Sequence, residues 1–212
     1  MKLDDTCFVV DMKNSDQKRI LEILSILDIK KEDSRFDFLI SKILPKIAAR
    51  TLLKNIASEN LGVPKSKLKF SYGNGGKPYF KNFENFHFNI SHTDYAFAVF
   101  ISNSEAGIDV ERKKEINLSI ANRFFSEQEK QFFNSYKNKE NAFFKIWTRK
   151  EAYAKYLGVG FSKDFLESNV FSQNIKTFKR KDLYISVCKN RNEDLDFSRV
   201  YYNIKSLKKK IL

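Results

Sequence analysis

The sequence predicts an α+β fold, in which helices and strands occur in separate runs along the chain. Apolar residues recur with a helical period in residues 34–60, alternate or form short runs in residues 68–111, and return to a helical period in residues 140–157. With 42% hydrophobic and 15% aromatic residues, the composition is rich enough in large apolar side chains to bury a core. Disorder is therefore excluded for most of the 212-residue chain.

The first run is mainly helical. A short apolar strand over residues 7–12 precedes an amphipathic helix over residues 15–29. A second helix covers residues 34–60, where Pro45 predicts a kink or a new helix start. Gly62 follows this helix, and we expect it to end there.

The middle run consists of strands separated by turns. Residues 68–72 form the first strand, and the glycine-rich segment 73–76 forms a turn after it. In residues 86–90, phenylalanine and isoleucine alternate with polar residues, which is the period of a half-buried strand. Two more strands follow, over residues 95–101 and 106–111.

Helices return in the third run, and the last part of the chain is again predicted to form strands. Ser126 and Glu129 fit a capping box at the start of one helix, because each side chain can bind a free backbone amide of the first turn. A second helix covers residues 140–157. The predicted strands after it are residues 175–179, 183–188 and 197–202, and a basic tail follows at residues 205–210.

The formal net charge of +13 attracts anions, and a nucleic acid, an acidic membrane, a phosphorylated metabolite or an acidic protein would all qualify. The same excess also fits a lysine-rich surface that keeps a protein in solution. Only two cysteines are present, Cys7 and Cys188, so we expect reduced thiols and no disulfide framework. Because no signal peptide and no membrane-spanning apolar run is recognised, the sequence predicts a cytoplasmic protein.

Two carboxylates lie on one face of the strand at residues 106–111. Asp109 and Glu111 are two residues apart and therefore point to the same side, while Ile108 and Val110 hold the strand to the core. Such carboxylates repel each other unless a cation lies between them, and Mg²⁺ suits oxygen ligands of this kind. The alternative is a solvent-facing strand edge that carries two unpaired acids.

Charged residues also fall on the apolar face of the helix at residues 140–157. Lys150 lies in the middle of that face and Glu151 lies on its border. Because burying an unpaired charge is costly, both residues need partners or a chemical function. Lys155 lies one turn after Glu151, so an ordinary surface ion pair is the alternative explanation.

Residues suited to phosphate binding gather around the strand at residues 86–90. Ser91 and His92 follow it directly, and Lys77 follows the glycine-rich turn. Beside a carboxylate-bound metal these side chains would form a phosphate pocket, although a lone histidine also fits a structural role. We recognise no phosphate loop, dinucleotide-binding glycine motif, zinc-ligand spacing, nucleophile elbow or nucleic-acid-binding module.

Taken in order, these segments resemble the surfactin-synthetase-activating (Sfp) type of 4′-phosphopantetheinyl transferase. The family pattern joins a Gly-Ile-Asp-x-Glu strand, here residues 107–111, to a Trp-(Ser/Thr)-x-Lys-Glu-(Ala/Ser)-x-x-Lys helix, here residues 147–155. Asp109 and Glu151 are 151 − 109 = 42 residues apart, which is of the family's usual order. The flanking matches are residues 50–53, 76–78, 88–92 and 123–129.

The resemblance implies Mg²⁺-dependent transfer of the phosphopantetheine arm of coenzyme A to a serine of an apo acyl or peptidyl carrier protein, with release of 3′,5′-ADP. It also implies a pseudo-dimer of two similar α/β lobes with the active site in the cleft between them. The polar turn at residues 102–105 is the expected boundary, which makes the lobes residues 1–104 and 105–212. The expected partners are coenzyme A and an acidic carrier protein, bound by a monomer that contacts neither nucleic acid nor membrane.

The matched motifs also imply roles for individual residues. Asp109, Glu111 and Glu151 match the Mg²⁺ ligands, and Glu151 is also the expected base for the serine proton. Lys155 would hold Glu151 in position or assist proton transfer, and His92 would add fixed positive charge. The residues expected to contact coenzyme A are Arg50, Thr51, Lys77, Ser91, His92 and Lys155, with Arg35 or Lys46 suggested for its 3′-phosphate.

Two other functions stay open at this point. A basic nucleic-acid-binding protein would explain the net charge but would leave the three acids without a purpose. A catalytically inactive relative that only binds coenzyme A or a carrier protein would keep the motifs without turnover. Glu129 is also open between helix capping and a supporting role near the metal.

Overall fold

The computed structural model describes residues 4–13, 36–159, 165, 168–195 and 199–201 of the chain. The predicted helix over residues 15–29, Arg35 and the basic tail lie outside these residues. Helices and strands alternate in runs, so the predicted α+β class is confirmed. In chain order the main elements are β1 (Thr6–Asp11), α1 (Leu44–Leu61), β2 (Phe70–Tyr72), β3 (Pro78–Phe80), β4 (His87–Thr93), β5 (Ala96–Ser102), β6 (Gly107–Arg112), α2 (Ile120–Phe124), α3 (Glu127–Ser135), α4 (Lys139–Leu157), β7 (Ile175–Arg180), β8 (Leu183–Cys188) and β9 (Val200–Tyr201).

Two sheets carry the fold. The first has the strand order β4-β5-β1-β9, and the second has the order β6-β8-β7. The pairs are antiparallel, except that β9 runs parallel to β1. Because β9 joins the first sheet, the chain returns to that sheet after building the second. The division of the chain into residues 1–104 and 105–212 stays a prediction.

The first sheet is covered by α1. Pro45 lies in the first turn of this helix, directly after a π-helical turn at Leu39–Ile43, so the predicted new helix start is confirmed. The helix ends at Gly62, whose left-handed backbone with φ of 64° closes the last turn. The helix side chains Leu52 and Leu53 are buried in one hydrophobic cluster with the sheet residues Phe8, Phe97 and Val99.

The opposite face of the first sheet packs on the second sheet. Alternate residues of β1 and β5, including Val9 and Phe100, meet Ile108 and Val110 of β6 and Ile185 of β8 in a second core. The other face of the second sheet is covered by α4, which begins at the Asn138 cap and ends at Gly158. Each lobe is therefore a long helix on a sheet whose main strands are antiparallel, and the two sheets pack against each other.

Two local features refine the sequence prediction. The capping box at the start of α3 is confirmed, because Ser126 accepts from the Glu129 amide and Glu129 accepts from the Ser126 amide. The strand β3 is not predicted by the sequence, because it has three residues and begins with Pro78, which is disfavoured inside strands.

Both cysteines are buried and free. Among the described residues, no helix combines the length and apolarity needed to cross a membrane.

Candidate active site

The candidate site lies along a seam between β4 and β6, which belong to different sheets. Side chains at alternate positions of β4 accept hydrogen bonds from alternate backbone amides of β6. The three bonds join Asn89 to the Ile108 amide at 2.9 Å, Ser91 to the Val110 amide at 3.3 Å, and Thr93 to the Arg112 amide at 3.4 Å. The polar face of this strand is thus turned to a neighbouring edge strand, and Asn89 and Ser91 are buried.

Asp109 is the centre of this seam and is only 3% exposed. Its Oδ1 accepts a hydrogen bond from the Ser91 hydroxyl at 2.8 Å and forms an ion pair with Lys155 Nζ at 2.6 Å. Its Oδ2 is buried and has no hydrogen-bond partner among the described residues. A buried carboxylate oxygen without a donor is costly, so this atom is suited to bind a cation.

Glu111 and Glu151 lie close enough to Asp109 for its negative charge to affect their pKa values. Burial and the negative charge of Asp109 raise the pKa of Glu111 to about 7. The same two causes raise the pKa of Glu151 to about 7. Glu111 accepts a hydrogen bond from Thr93 at 3.2 Å, while Glu151, which is half-buried, forms no hydrogen bond among the described residues. The structure therefore places both predicted glutamates within the range of the Asp109 charge, which opposes their ionisation.

Lys155 lies among these acids and supplies their positive counter-charge. Besides Asp109, its ammonium group donates to the Ser91 hydroxyl at 2.8 Å. Burial acts to lower the pKa of Lys155, but the charges of Asp109 and Glu151 outweigh it, and the pKa is raised. The ion pair expected as an alternative, Lys155 with Glu151, is replaced by a contact with Asp109 on the neighbouring strand.

Lys150, the charged residue on the apolar face of α4, forms a buried ion pair with Glu129. Both side chains are 0% exposed, and Lys150 Nζ lies 2.9 and 3.1 Å from the two carboxylate oxygens of Glu129. Glu129 also accepts hydrogen bonds from the amides of Ser126 and Val170. These partners occupy both oxygens of Glu129, so the carboxylate fixes α3 to α4 instead of supporting a metal.

Lys77 and His92 lie away from the acids. Lys77 Nζ pairs with Glu105 and donates to the backbone oxygen of Tyr156 at 3.2 Å. His92 is exposed on β4 and, because side chains alternate along a strand, points to the face opposite Ser91. The predicted grouping of Ser91 with the acids is therefore observed, whereas His92 is not part of that hydrogen-bonded cluster.

Arg50 and Thr51 lie on α1, under the first sheet. The Arg50 guanidinium group lies over the ring of Phe70, with 5.3 Å to the centroid, and its buried Nε has no hydrogen-bond partner in the described part of the chain. Thr51 and Lys46 are exposed on the same helix. Their predicted contacts with coenzyme A stay predictions.

Three residues at the seam are not predicted by the sequence reasoning. Thr93 binds Glu111, and at the other end of the seam His87 of β4 contacts Glu105 in the turn before β6, with His87 Nδ1 3.2 Å from Glu105 Oε1. The strand period could have identified Thr93, because it lies two residues after Ser91 on the same face. The partner of His87 comes from the turn between β5 and β6, so no local pattern indicates it.

Two family models match the chain, and together they cover most of it. Residues 13–105 match the N-terminal domain of a 4′-phosphopantetheinyl transferase, and residues 105–200 match the 4′-phosphopantetheinyl transferase superfamily. This chain belongs to that superfamily. Gly107 and Lys155 of the two family motifs lie within the second match, as do all three acids of the site.

Named relatives agree with the family assignment. The chain is 33% identical over 157 residues to the 4′-phosphopantetheinyl transferase psf-1 of Bacillus pumilus, an alignment that covers 72% of this chain and 66% of that protein. It is 39% identical over 111 residues to the transferase gsp of Aneurinibacillus migulanus, covering 51% and 46%. It is 34% identical over 113 residues to the transferase Sfp of Bacillus subtilis strain 168, covering 52% and 50%. The chain thus spans about half to two thirds of the length of these relatives.

The residues of the site fit the divalent ion that the family implies. Asp109 Oδ2 is a buried hard oxygen without a partner, and Glu111 and Glu151 add two more carboxylates nearby. Within the described part of the chain, no three acidic, histidine or cysteine side chains form a ready-made metal cluster. This is compatible with Mg²⁺, because that ion is usually held by one or two carboxylates, waters and substrate phosphates.

Proposed function

We propose that this protein transfers the 4′-phosphopantetheine group of coenzyme A to a serine of an apo carrier protein. The observation that carries the proposal is the buried Asp109, whose Oδ2 lacks a partner among the described residues while Glu111 and Glu151 lie within the range of its charge. Such an arrangement does not favour stability, since the charge of Asp109 raises the pKa of both glutamates and so makes them harder to ionise. A nucleic-acid-binding function gives these acids no purpose.

Asp109, Glu111 and Glu151 are the residues that would hold Mg²⁺. When bound, the ion would neutralise the charge of the coenzyme A pyrophosphate and of the leaving phosphate. The ammonium group of Lys155 pairs with Asp109 and donates to Ser91, so it supplies positive charge beside these carboxylates. That position supports its predicted role in coenzyme A binding, because a phosphate group bound next to the acids would be within reach of this cation.

The side chains of the protein itself would carry out the remaining step, which is removal of the proton from the attacking hydroxyl. The attacking hydroxyl belongs to the carrier serine, so the transferase needs a base and no nucleophile of its own. The Glu151 carboxylate is half-buried and not engaged in a hydrogen bond among the described residues, so it can accept the serine proton directly or through a water molecule. Ser91 keeps Asp109 in place through its hydrogen bond.

The proposal extends to partners and location. The net charge of +13 favours encounter with coenzyme A and with acidic carrier proteins. We also propose that the protein acts as a monomer in the cytoplasm, where its two buried free cysteines stay reduced.

The test mixes the protein with coenzyme A, Mg²⁺ and a panel of apo carrier proteins, followed by intact-mass spectrometry of each carrier. We expect a mass increase of one phosphopantetheine on at least one acidic carrier, and no increase when the metal is chelated. The variant Glu115→Gln, which removes an exposed acid outside the site, is the matched control and should retain transfer. No mass increase on any carrier, with coenzyme A still bound, would favour the inactive relative.

A further inference from the structure

A cleft of about 780 Å³ opens between the turn at residues 73–79 and the C-terminal end of α4. Its apolar lining comes from Pro78, Tyr79, Phe86, Leu157 and Val159. None of the three acids of the candidate site lines this cleft. The cleft therefore needs an explanation of its own.

The polar groups of the cleft are one cation, one histidine and carboxylates. Lys77 Nζ pairs with Glu105 Oε2, and His87 Nδ1 lies 3.2 Å from the other oxygen of the same carboxylate. The Glu105 carboxylate thus bridges Lys77 and His87. Burial acts to raise the pKa of Glu105, but the hydrogen bond and charge of Lys77, together with His87, outweigh it and hold the pKa below its ordinary value.

We propose that Lys77 and His87 form an anion subsite for a phosphate group of the nucleotide ligand, and that Glu105 occupies this subsite until the ligand displaces it. The inference rests on the proposed function for the identity of that ligand. It assigns His87 and Glu105, which have no part in the proposed reaction steps, to the binding of the phosphorylated substrate and product.

The difference in exposure between the two sides of this ion pair supports displacement. The Lys77 side chain is 16% exposed and is anchored by the Tyr156 carbonyl, whereas the Glu105 side chain is 61% exposed. An exposed carboxylate can turn into water at little cost, because ion pairs at a surface contribute little to stability. A phosphate group carries more charge and more acceptor oxygens than a carboxylate, so it competes well for the same two donors.

The geometry around Lys77 is fixed before a ligand binds. Gly75 has a φ of 77°, and a β-carbon at this position would collide with the carbonyl oxygen of Gly158. The turn that carries Lys77 therefore packs directly on the end of α4, in the other lobe. A subsite held by both lobes costs less to organise on binding, and the apolar walls suit the part of a ligand that carries no charge.

Isothermal titration calorimetry with 3′,5′-ADP, in buffer with a metal chelator, tests the proposal. We expect Glu105→Gln to bind this ligand about two- to fivefold more tightly than the unmodified protein, because an exposed competing ion pair is removed. Lys77→Met and His87→Phe should bind it more weakly. The charge-matched control is Glu84→Gln, which removes another carboxylate of the cleft that does not touch Lys77 and should change the affinity less.

Adenosine, which lacks phosphate, is the control ligand, because its binding depends on the shape of the cleft and not on the anion subsite. Glu105→Gln and the unmodified protein should bind adenosine with the same affinity. An unchanged or weaker affinity of Glu105→Gln for 3′,5′-ADP, with an unchanged melting temperature, overturns the proposal. Equal gains in Glu84→Gln and Glu105→Gln overturn it as well, since they indicate a general charge effect. If the protein binds 3′,5′-ADP as expected but modifies no carrier, the proposed function fails and the anion subsite stands.

Discussion

Ser91 donates its hydroxyl proton to Asp109 across two sheets that share no strand, over a distance of 2.8 Å. The same hydroxyl oxygen accepts a hydrogen bond from the Val110 amide and another from Lys155. The Ser91 side chain therefore joins β4, at the edge of the first sheet, to β6 and α4 of the second lobe. The assembly of the site and the packing of the two lobes depend on the same contacts.

We predict that Ser91→Ala lowers the free energy of unfolding by about 1.5–3 kcal/mol, the usual contribution of a hydrogen bond to a charged group. The affinity for Mg²⁺ should also fall, because Asp109 loses the donor that orients it. Chemical denaturation and Mn²⁺ titration measure the two effects. Ser135→Ala, which removes an exposed hydroxyl on α3, should change neither quantity. An unaltered stability of Ser91→Ala would show that the bond between the sheets is not formed in solution.

Contacts within one element could be predicted from local patterns, whereas contacts between elements could be predicted only where the family resemblance grouped the residues, as it did for Ser91 and Asp109. The period of a strand is sufficient to place Asp109 and Glu111 on one face, and the capping box around Glu129 follows from local backbone chemistry. The sequence also identifies Lys150 as a charge that needs a partner. It does not identify Glu129 as that partner, because the two residues meet only when α3 packs on α4.

Strand alternation also explains why His92 does not join the hydrogen-bonded cluster around Asp109, while its predicted contact with coenzyme A stays a prediction. Ser91 and His92 are neighbours in the sequence and match one motif, yet a strand sends successive side chains to opposite faces. Ser91 therefore joins Asp109, whereas His92 is exposed on the other face of β4. Lys155 is a related case, since helical spacing indicates Glu151 as an alternative partner while the fold supplies Asp109 from β6.

Replacing one acid of the site should separate function from stability. We predict that Glu111→Gln abolishes carrier modification, because a metal ligand loses its charge, while the fold is retained. The metal-free variant should be at least as stable as the unmodified protein, since Glu111 faces the repelling charge of Asp109. Intact-mass assay and thermal denaturation without metal measure the two outcomes. Activity that persists at saturating Mg²⁺ would contradict the assignment of Glu111.

Gly107 is the point where β6 begins against the backbone of α4. A β-carbon here would collide with the carbonyl oxygen of Ala152 and the amide of Tyr156. We predict that Gly107→Ala destabilises the protein by about 1–3 kcal/mol or more, the range for overpacking, because backbone atoms cannot rotate away. It should also weaken metal binding by moving Asp109 away from Glu151. Gly73→Ala, whose β-carbon would have only an ordinary contact with the Lys77 carbonyl, is the control and should be nearly neutral.

The ion pair of Lys150 and Glu129 is suited to a double-mutant cycle. We predict that Lys150→Met costs about 3–5 kcal/mol of stability, because it leaves the buried Glu129 without its counter-charge. Adding Glu129→Gln to that variant should recover part of the loss, because a neutral amide is easier to bury than an unpaired carboxylate. Urea denaturation of the four proteins gives the coupling free energy. Losses that simply add would mean that the two charges do not interact.

The net charge of +13 provides the last prediction, which concerns encounter with the carrier. Salt shortens the range of electrostatic attraction to about 8 Å at 0.15 M ionic strength, so it should weaken the approach of an acidic carrier more than the chemical step. Raising the salt concentration should therefore raise the KM for the carrier more than it lowers kcat. A carrier variant with its surface acids replaced by amides serves as the control and should show a smaller salt effect on KM. Equal salt effects on both carriers would show that the positive charge is a general property of this lysine-rich surface and does not guide the carrier to the site.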